Sequence, residues 1–425
     1  MKIVHFVRHS FPQKPDGYSL RTRAIVRAQQ KLGNEPVVVT SPEFAQERNY
    51  HMVDREMVDG VPHYHFSSNE PVVFRAGKNI PLVRRYLRHR RGARFYQTIA
   101  RRCMPCDLFQ VHMQPETVGQ LRAMRSRVRP PIVYEVRGVW EDSLVACGQL
   151  TANSKAYRDA YRASTQAAQE ADWVVTISKG LRNDFVDRGI APTKITVVPN
   201  GVETADFVPA GRDAQLAEAL GLAGKTVLGY ISSIRELEGI EYLIRAMPHV
   251  LDAVPDTACL IVGDGDDRPR LESIARSVGV AHKVIFSGRV PHAEIKAYYS
   301  IIDVFVVPRP DQRVNQLVTP LKPLEAMAME KAILVSGVGG LTEIVQDGLT
   351  GMVFAPEDPQ DLARKAVLLA NSEPLRRRLG EEARRFAVEE RDWNLITRRY
   401  QELAGFITSP RQALRWANQG GAPDI

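Results

Sequence analysis

Short apolar runs alternate along the chain with longer amphipathic stretches. Lys2–Val7, Pro36–Thr40, Asp107–His112, Ile132–Val136, Trp173–Thr176 and Ile195–Val198 read as strands. Their continuous apolar character is that of parallel strands covered on both faces. Between them, helical spacing appears from Ser19 to about Gly33, over Ser154–Ala171 and over Lys179–Arg188. Ser19 is the expected cap of the first helix. Pro199-Asn200-Gly201 then breaks the pattern. The alternation resumes with the strand after Gly224-Lys225, then Ala258–Val262, Val284–Ser287, Val304–Val307 and a strand ahead of the glycine turn at Ser336. After Phe354 helices run from Asp358 to about Phe406. This is the pattern of α/β domains with doubly wound parallel sheets. The expected division is a first domain over 1–201, a linker over 202–212, a second domain over 213–392, and a closing segment over 393–425.

The 425 residues are enough for two cores, and 44% hydrophobic with 25% charged residues is ordinary for a globular chain. No apolar run is long enough to span a bilayer. MKIVHFVRHSFP reads as a first strand rather than a signal peptide, so a cytoplasmic location is expected. Cys103, Cys106, Cys147 and Cys259 make no disulfide framework. Cys103 and Cys106 form a CxxC with no second pair at metal spacing, so idle thiols are expected. The net charge of +8 favours anionic partners. Arginines concentrate between Ile80 and Arg102, at Arg84, Arg85, Arg88, Arg90, Arg91, Arg94, Arg101 and Arg102. That segment reads either as a surface for anionic lipid or as a solvated helix face. No recognised nucleic-acid module accompanies it, so nucleic acid is not an expected partner.

Candidate chemistry concentrates in Val306–Val345. The loop Pro308–Pro320 holds Arg309, Arg313, Asn315, Gln316 and Thr319, which are donors and cations with no core character. Pro320 and Pro323 fit the first turn of a helix, whose free N–H groups and dipole attract phosphate. Lys322 adds a charge there. Glu325 begins an otherwise apolar helix, so it must face a cleft or be paired. A carboxylate among anion-binding groups suits a ligand with a diphosphate and vicinal hydroxyls, a sugar nucleotide. The turn Ser336–Gly340 offers a second nest of N–H groups. Gly224-Lys225-Thr226 is no P-loop, because Ala219 replaces the first glycine and a strand follows. No GxGxxG is present.

The run PLKPLEAMAMEKAILVSGVGGLTEIVQDGLTGMVF resembles the donor-site signature of the retaining glycosyltransferases of family 4. HSFPQKPDGYSLRTRA and YEVRGVWED resemble a narrower subgroup, sugar transferases linked to exosortase-type exopolysaccharide clusters. The resemblance implies a GT-B fold, with two Rossmann-like domains facing across a cleft. It implies transfer of a sugar from a UDP- or GDP-sugar to a hydroxyl of a glycan or lipid-linked acceptor, with retention and without metal or other cofactor. By the same resemblance Glu325 holds the ribose hydroxyls, and Lys322 and Arg235 with the N–H groups near Thr319 hold the diphosphate. Gly17 and Tyr18 of the first loop face the donor. Val290, with Arg289 beside it, meets the base. His112 and Arg137 enter the cleft, and Glu141 or Asp142 orients the acceptor. Relatives carry an Arg and a Lys where Ser233 and Glu238 stand here, so Arg235, Lys322, Arg309 or Arg313 must meet the diphosphate charge. Relatives also place a glutamate at the position of Leu317, with Asn315 and Gln316 beside it here. Asp264 and Asp266 have Asp-x-Asp spacing but sit in a tight turn. The last helix is expected to cross back to the first domain. Two other readings stand beside transfer: a sugar-nucleotide epimerase of the same fold, and a non-catalytic membrane-docked subunit of a polysaccharide-assembly complex.

Overall fold

The computed structural model describes residues 1–14, 16–41, 55–65, 96–124 and 129–408. Residues 84–95 of the arginine-rich segment and the tail from 409 lie outside these. Arg101 and Arg102 are described and exposed.

Two sheets carry the architecture. The first holds β1 (Lys2–Val7), β2 (Glu35–Thr40), β3 (Arg55–Val58), β4 (Val61–Tyr64), β5 (Leu108–His112), β6 (Ile132–Val136), β7 (Trp173–Thr176) and β8 (Ile195–Val197). Their order is β3-β4-β2-β1-β5-β6-β7-β8. All pairs are parallel except the β3–β4 hairpin. The second holds β9 (Thr226–Ile231), β10 (Thr257–Val262), β11 (Val284–Gly288), β12 (Val304–Val307), β13 (Ala332–Ser336) and β14 (Met352–Phe354), in the order β11-β10-β9-β12-β13-β14, all parallel. Each sheet winds outward from its first strand in one direction and then in the other. The reversals fall between β1 and β5 and between β9 and β12. At such reversals the loops diverge and open a crevice beyond the strand ends, where ligands of this architecture bind.

The helix Trp393–Thr408 crosses back to the first domain. Trp393, Ile396, Tyr400, Leu403 and Ala404 pack with Ile3, Ala24, Ile25, Leu108, Val133 and Val198. Burying each large apolar side chain contributes roughly 1.5–3 kcal/mol, so the crossing is a stable join between domains.

One element is added and two local expectations are corrected. The added element is the hairpin β3–β4, turned at Asp59-Gly60, which take positive φ of 50° and 78°. Ser19 is not the cap of the first helix (Gly17–Lys31). Asp16 caps it by accepting the Ser19 N–H at 3.0 Å, and Ser19 Oγ accepts the Asp16 N–H in return. The stretch Pro308–Pro320 is not an open loop of donors: Arg313–Leu317 forms a short helix, and Asn315 is fully buried. The next helix is Lys322–Ala328, with Pro323 in its first turn and Pro320 ahead of it.

Candidate functional site

The second-domain edge is built on the reversal between β9 and β12. Beyond β9 lie Ser233, Arg235 and Glu238; beyond β12 lie Arg309 to Glu325. Glu238 is 1% exposed and is the centre of a buried ionic group. It accepts from Arg309 Nε at 3.1 Å, from Arg309 Nη2, from Arg235 Nη2 at 3.2 Å and from the Tyr230 hydroxyl. Burial alone would raise its pKa, but Arg309 and Arg235 hold it below the usual carboxylate range. Gly239 follows in the left-handed region at φ 66°, and a Cβ there would stand 2.1 Å from the Pro308 carbonyl. That close approach of two loops needs glycine.

Arg309 is therefore committed to Glu238 rather than offered to a ligand. Arg313 is also committed: it pairs with Asp184 and lies 3.6 Å from Asp142, both in the first domain. Of the four cations the sequence offers, Arg309 is buried, while Arg235, 49% exposed, Arg313, 40% exposed, and Lys322, 27% exposed, keep accessible surface beside their carboxylate partners. Asn315 Nδ2 donates to the Leu237 and Pro310 carbonyls, fixing the loop from inside. Gln316 Oε1 accepts the Gly339 N–H at 2.7 Å, so the glycine turn is met by the protein's own carboxamide. Leu317 packs into the first domain's core, and its carbonyl accepts from Ser178 Oγ. Ser233 and Arg289 are exposed and Val290 is half-buried against the second core.

Glu325 is 7% exposed. Its Oε2 accepts from Lys322 Nζ and from the Tyr299 hydroxyl, both at 2.9 Å. Among the described residues Oε1 accepts no hydrogen bond. The carboxylate is thus held in place through one oxygen while the other stays open. Burial and Glu325 push the Tyr299 hydroxyl well above its ordinary pKa, so it remains a donor. Nothing in the sequence marks Tyr299, which stands 26 positions from Glu325.

The two domains touch along this edge. The Glu343 carboxylate accepts the N–H groups of Lys179 and Gly180 at 2.9 and 2.8 Å, at the N-terminus of the helix Lys179–Asp187. Asn200 Nδ2 donates to the Thr319 carbonyl at 2.7 Å. A Cβ on exposed Gly17 would lie 3.4 Å from the Leu321 side chain, so the first loop borders the Lys322 turn.

The first-domain edge differs from expectation. His112, Arg137, Glu141 and Asp142 do not line an open cleft; none is more than 9% exposed. Arg137 turns back to Glu135, with Nε 2.9 Å from Oε1, and its Nη1 donates to the Tyr18 carbonyl and Thr22 Oγ1. Arg21 binds the same Glu135 oxygen at 2.9 Å and also donates to Asn200, Tyr400 and the Val198 and Pro199 carbonyls. Glu135 is fully buried, and Gln110 donates to its Oε2. Burial opposes its charge, but the guanidiniums of Arg137 and Arg21 hold the carboxyl well below the usual range. Tyr18 spends its hydroxyl on the His112 carbonyl and the Arg8 N–H, and burial pushes its pKa to about 12. Glu141 lies 3.5 Å from Arg188, and Asp142 accepts from the Tyr157 hydroxyl; burial raises the pKa of both.

Arg137 also donates to His112 Nδ1, which leaves the ring proton on Nε2. That proton points to His5 Nδ1 at 2.9 Å, and His5 Nε2–H points to Gln29 Oε1 at 2.8 Å. Burial and then His112 lower His5 to about 3; burial and then Arg137 lower His112 to about 4. Both rings are neutral when folded at neutral pH. The unfolded chain takes up protons on them below about pH 6.5. The unfolded state then holds more protons, so stability present above pH 6.5 is lost as pH falls towards 4. The midpoint of urea unfolding is expected to drop steadily from pH 7 to pH 4.5. A midpoint flat over that range would show that these rings are not neutral in the fold.

Comparison with known proteins bears on this geometry. The family model for Glycosyltransferase Family 4 matches residues 15–206, and that for Glycosyl transferases group 1 matches residues 213–386. The chain carries two glycosyltransferase domains. It is 32% identical over 248 residues to the GDP-mannose-dependent alpha-(1-6)-phosphatidylinositol monomannoside mannosyltransferase of Mycolicibacterium smegmatis, which covers 57% of this chain and 65% of that protein. Alignments to three curated relatives span between 58 and 67% of those proteins' lengths. In fold it is similar to sucrose-phosphate synthase from Thermosynechococcus elongatus, with a TM-score of 0.74, 19% identity and coverage of 95% of this chain and 98% of that one. It is also similar to Anabaena Alr3699/HepE, solved in complex with UDP-glucose, at a TM-score of 0.70, 19% identity and coverage of 95 and 99%. The fold of two Rossmann-like domains is that of the GT-B glycosyltransferases.

Proposed function

We propose that this glycosyltransferase-domain protein moves a sugar from a nucleoside diphosphate sugar to a hydroxyl of a glycan or lipid-linked acceptor, with retention of configuration. The single observation that carries the reading is Glu325. It stands at the reversal of the second sheet, pinned by Tyr299 and Lys322 through Oε2, with Oε1 open to vicinal ribose hydroxyls. Arg235 and Lys322 are accessible cations on the same edge and would face the diphosphate. In the reaction the acceptor oxygen bonds the anomeric carbon as the bond from that carbon to the diphosphate breaks. The hydroxyl proton leaves to an oxygen of the departing diphosphate. Cations beside that group stabilise the charge it gains in the transition state. No metal is assigned a part. Nucleotide-sugar complexes of a fold neighbour and the name of the mannosyltransferase relative support a UDP- or GDP-sugar donor. The net charge of +8 supports an anionic acceptor; the reading takes this acceptor to be lipid-linked, at the cytoplasmic face of a membrane, in cell-surface polysaccharide assembly. No described helix is long and apolar enough to cross one.

Thermal stabilisation by a panel of nucleoside diphosphates and their sugars tests the reading. A ligand that binds only the folded state raises its stability with the logarithm of its concentration over Kd. One base is expected to shift the midpoint, and nucleoside diphosphate is expected to be released only when acceptor is present. Release without acceptor, or no shift with any nucleotide, would overturn the proposal; the latter would favour a non-catalytic subunit.

A further inference from the structure

The short helix Arg313–Leu317 belongs to the second domain by sequence but is seated in both. One face is held from its own side, where Asn315 meets the Leu237 and Pro310 carbonyls and Gln316 the Gly339 N–H. The other face enters the first domain. Val314 is buried and packs with that domain's core, with Leu317 and Val318 beside it. The helix rests on Lys179–Asp187 and on Trp140–Ala146. Arg313 completes this face: it pairs with Asp184, and its Nε lies 3.6 Å from Asp142 Oδ2. There the first domain gathers three carboxylates, Glu141, Asp142 and Asp184, none more than 8% exposed. Among the described residues that domain sets one guanidinium against them, Arg188, 2.7 Å from Asp184 and 3.5 Å from Glu141. Asp142 Oδ1 accepts from the Tyr157 hydroxyl, and its buried Oδ2 accepts no hydrogen bond. Burial pushes the Asp142 pKa up, and Arg313 opposes that more than any other group.

We infer that Arg313 is a positioning residue for the transfer: it completes a buried ionic cluster of the first domain and thereby holds the donor edge of the second domain against it. The inference rests on the transfer reading above. Buried carboxylates short of a cation are costly. Glu141, Asp142 and Asp184 are short of one until the second domain docks and supplies Arg313. The cluster therefore favours the docked arrangement over any in which Arg313 is withdrawn. The helix Lys179–Asp187 is gripped at both ends, by Glu343 at its first N–H groups and by Arg313 at Asp184. From Leu317 the chain runs through Thr319, whose carbonyl accepts from Asn200, to Lys322 and Glu325. Seating the short helix thus places Lys322 and Glu325 beside the first loop, where Gly17 borders Leu321. Arg313 needs no contact with substrate for this. It acts through the pose of the two domains, which brings acceptor and donor to one point.

Four variants of the full chain test this: Arg313→Gln, Arg313→Lys, Asp184→Asn and Gly180→Ala. Arg313→Gln is expected to lower kcat about tenfold or more, since a small misplacement of reactants is costly. Nucleotide affinity, read from thermal stabilisation, should change by less than about threefold, because Glu325, Lys322 and Arg235 are untouched. Arg313→Lys keeps the charge and should recover part of the loss. Asp184→Asn should lower kcat likewise, and combining it with Arg313→Gln should add little, because the two act as one pair. In Gly180→Ala the added Cβ would stand 3.0 Å from the Gln316 carbonyl, so it crowds the seat of the short helix while suiting its own helix. There kcat should fall with no fall in the thermal midpoint. Hydrogen exchange followed by mass spectrometry reads docking without turnover. The Lys179 and Gly180 N–H groups lie in the first turn of their helix and are held by Glu343 of the other domain. Their exchange should quicken about tenfold in Arg313→Gln. Wild-type kcat or wild-type exchange in Arg313→Gln would overturn the inference. Equal losses of kcat and nucleotide affinity would also overturn it, since the short helix would then be only a part of the donor loop. Faster exchange in a protein that binds no nucleotide would uphold the docking role of Arg313, and the transfer reading alone would fail.

Discussion

Glu325→Ala is expected to lower kcat/KM by about 10²-fold and to remove most of the thermal stabilisation given by the nucleotide. Hydrogen bonds to a charged group contribute about 1.5–3 kcal/mol each, and a single carboxylate oxygen facing two hydroxyls falls in that range. The variant also leaves the buried Tyr299 hydroxyl with only the Lys322 carbonyl at 3.4 Å as acceptor, and Lys322 Nζ without its carboxylate. Exchanging a short bond to a carboxylate for a long one to a carbonyl costs about 1 kcal/mol, so the ligand-free midpoint should fall by a few degrees. Glu325→Gln separates the two effects. Its carboxamide oxygen still accepts from Tyr299, so the ligand-free midpoint should recover, while the loss of charge keeps nucleotide binding weak. Wild-type rates and nucleotide shifts in both variants would remove Glu325 from the site.

Glu135→Ala should have the larger effect on stability. The carboxylate is fully buried and shared by Arg21 and Arg137 at 2.9 Å each. Removing it leaves two guanidinium charges in a dry interior, and breaking buried pairs of this kind costs about 3–5 kcal/mol. The damage would spread, because Arg21 also holds the Val198 and Pro199 carbonyls, Asn200 and Tyr400. Those contacts tie the first helix to the start of the linker and to the returning C-terminal helix. Trp173 and Trp393 pack in that region, so their fluorescence reports the transition locally. A urea midpoint unchanged within error would mean that the two arginines find other acceptors, and the network would not be the join described above.

Strands and helices were legible because their signals are local. A short continuous apolar run such as Val304–Val307 fits a buried parallel strand, and it is fully buried. The hairpin β3–β4 was missed because its strands are only four residues each, yet Asp59-Gly60 carried the signal. The site was legible in part for the same reason. Lys322 and Glu325 are three residues apart on one helix, and spacing alone brings them together. Arg309 reads as available because it is a cation in a polar loop, while its partner Glu238 lies far off in the chain.

The sequence by itself determined two doubly wound α/β domains and the strand ends at which chemistry must gather. Those follow from periodicity, which needs only neighbouring residues. Only the tertiary structure decided which polar groups are spent and which are open. Arg21 meets Glu135 across 114 positions, Arg309 meets Glu238 across 71, and Arg313 meets Asp184 across 129. No spacing rule reaches that far. A buried charge must find a partner or neutralise, and the partner is set by how sheets and loops pack. That packing withdrew His112, Arg137, Glu141 and Asp142 from the surface.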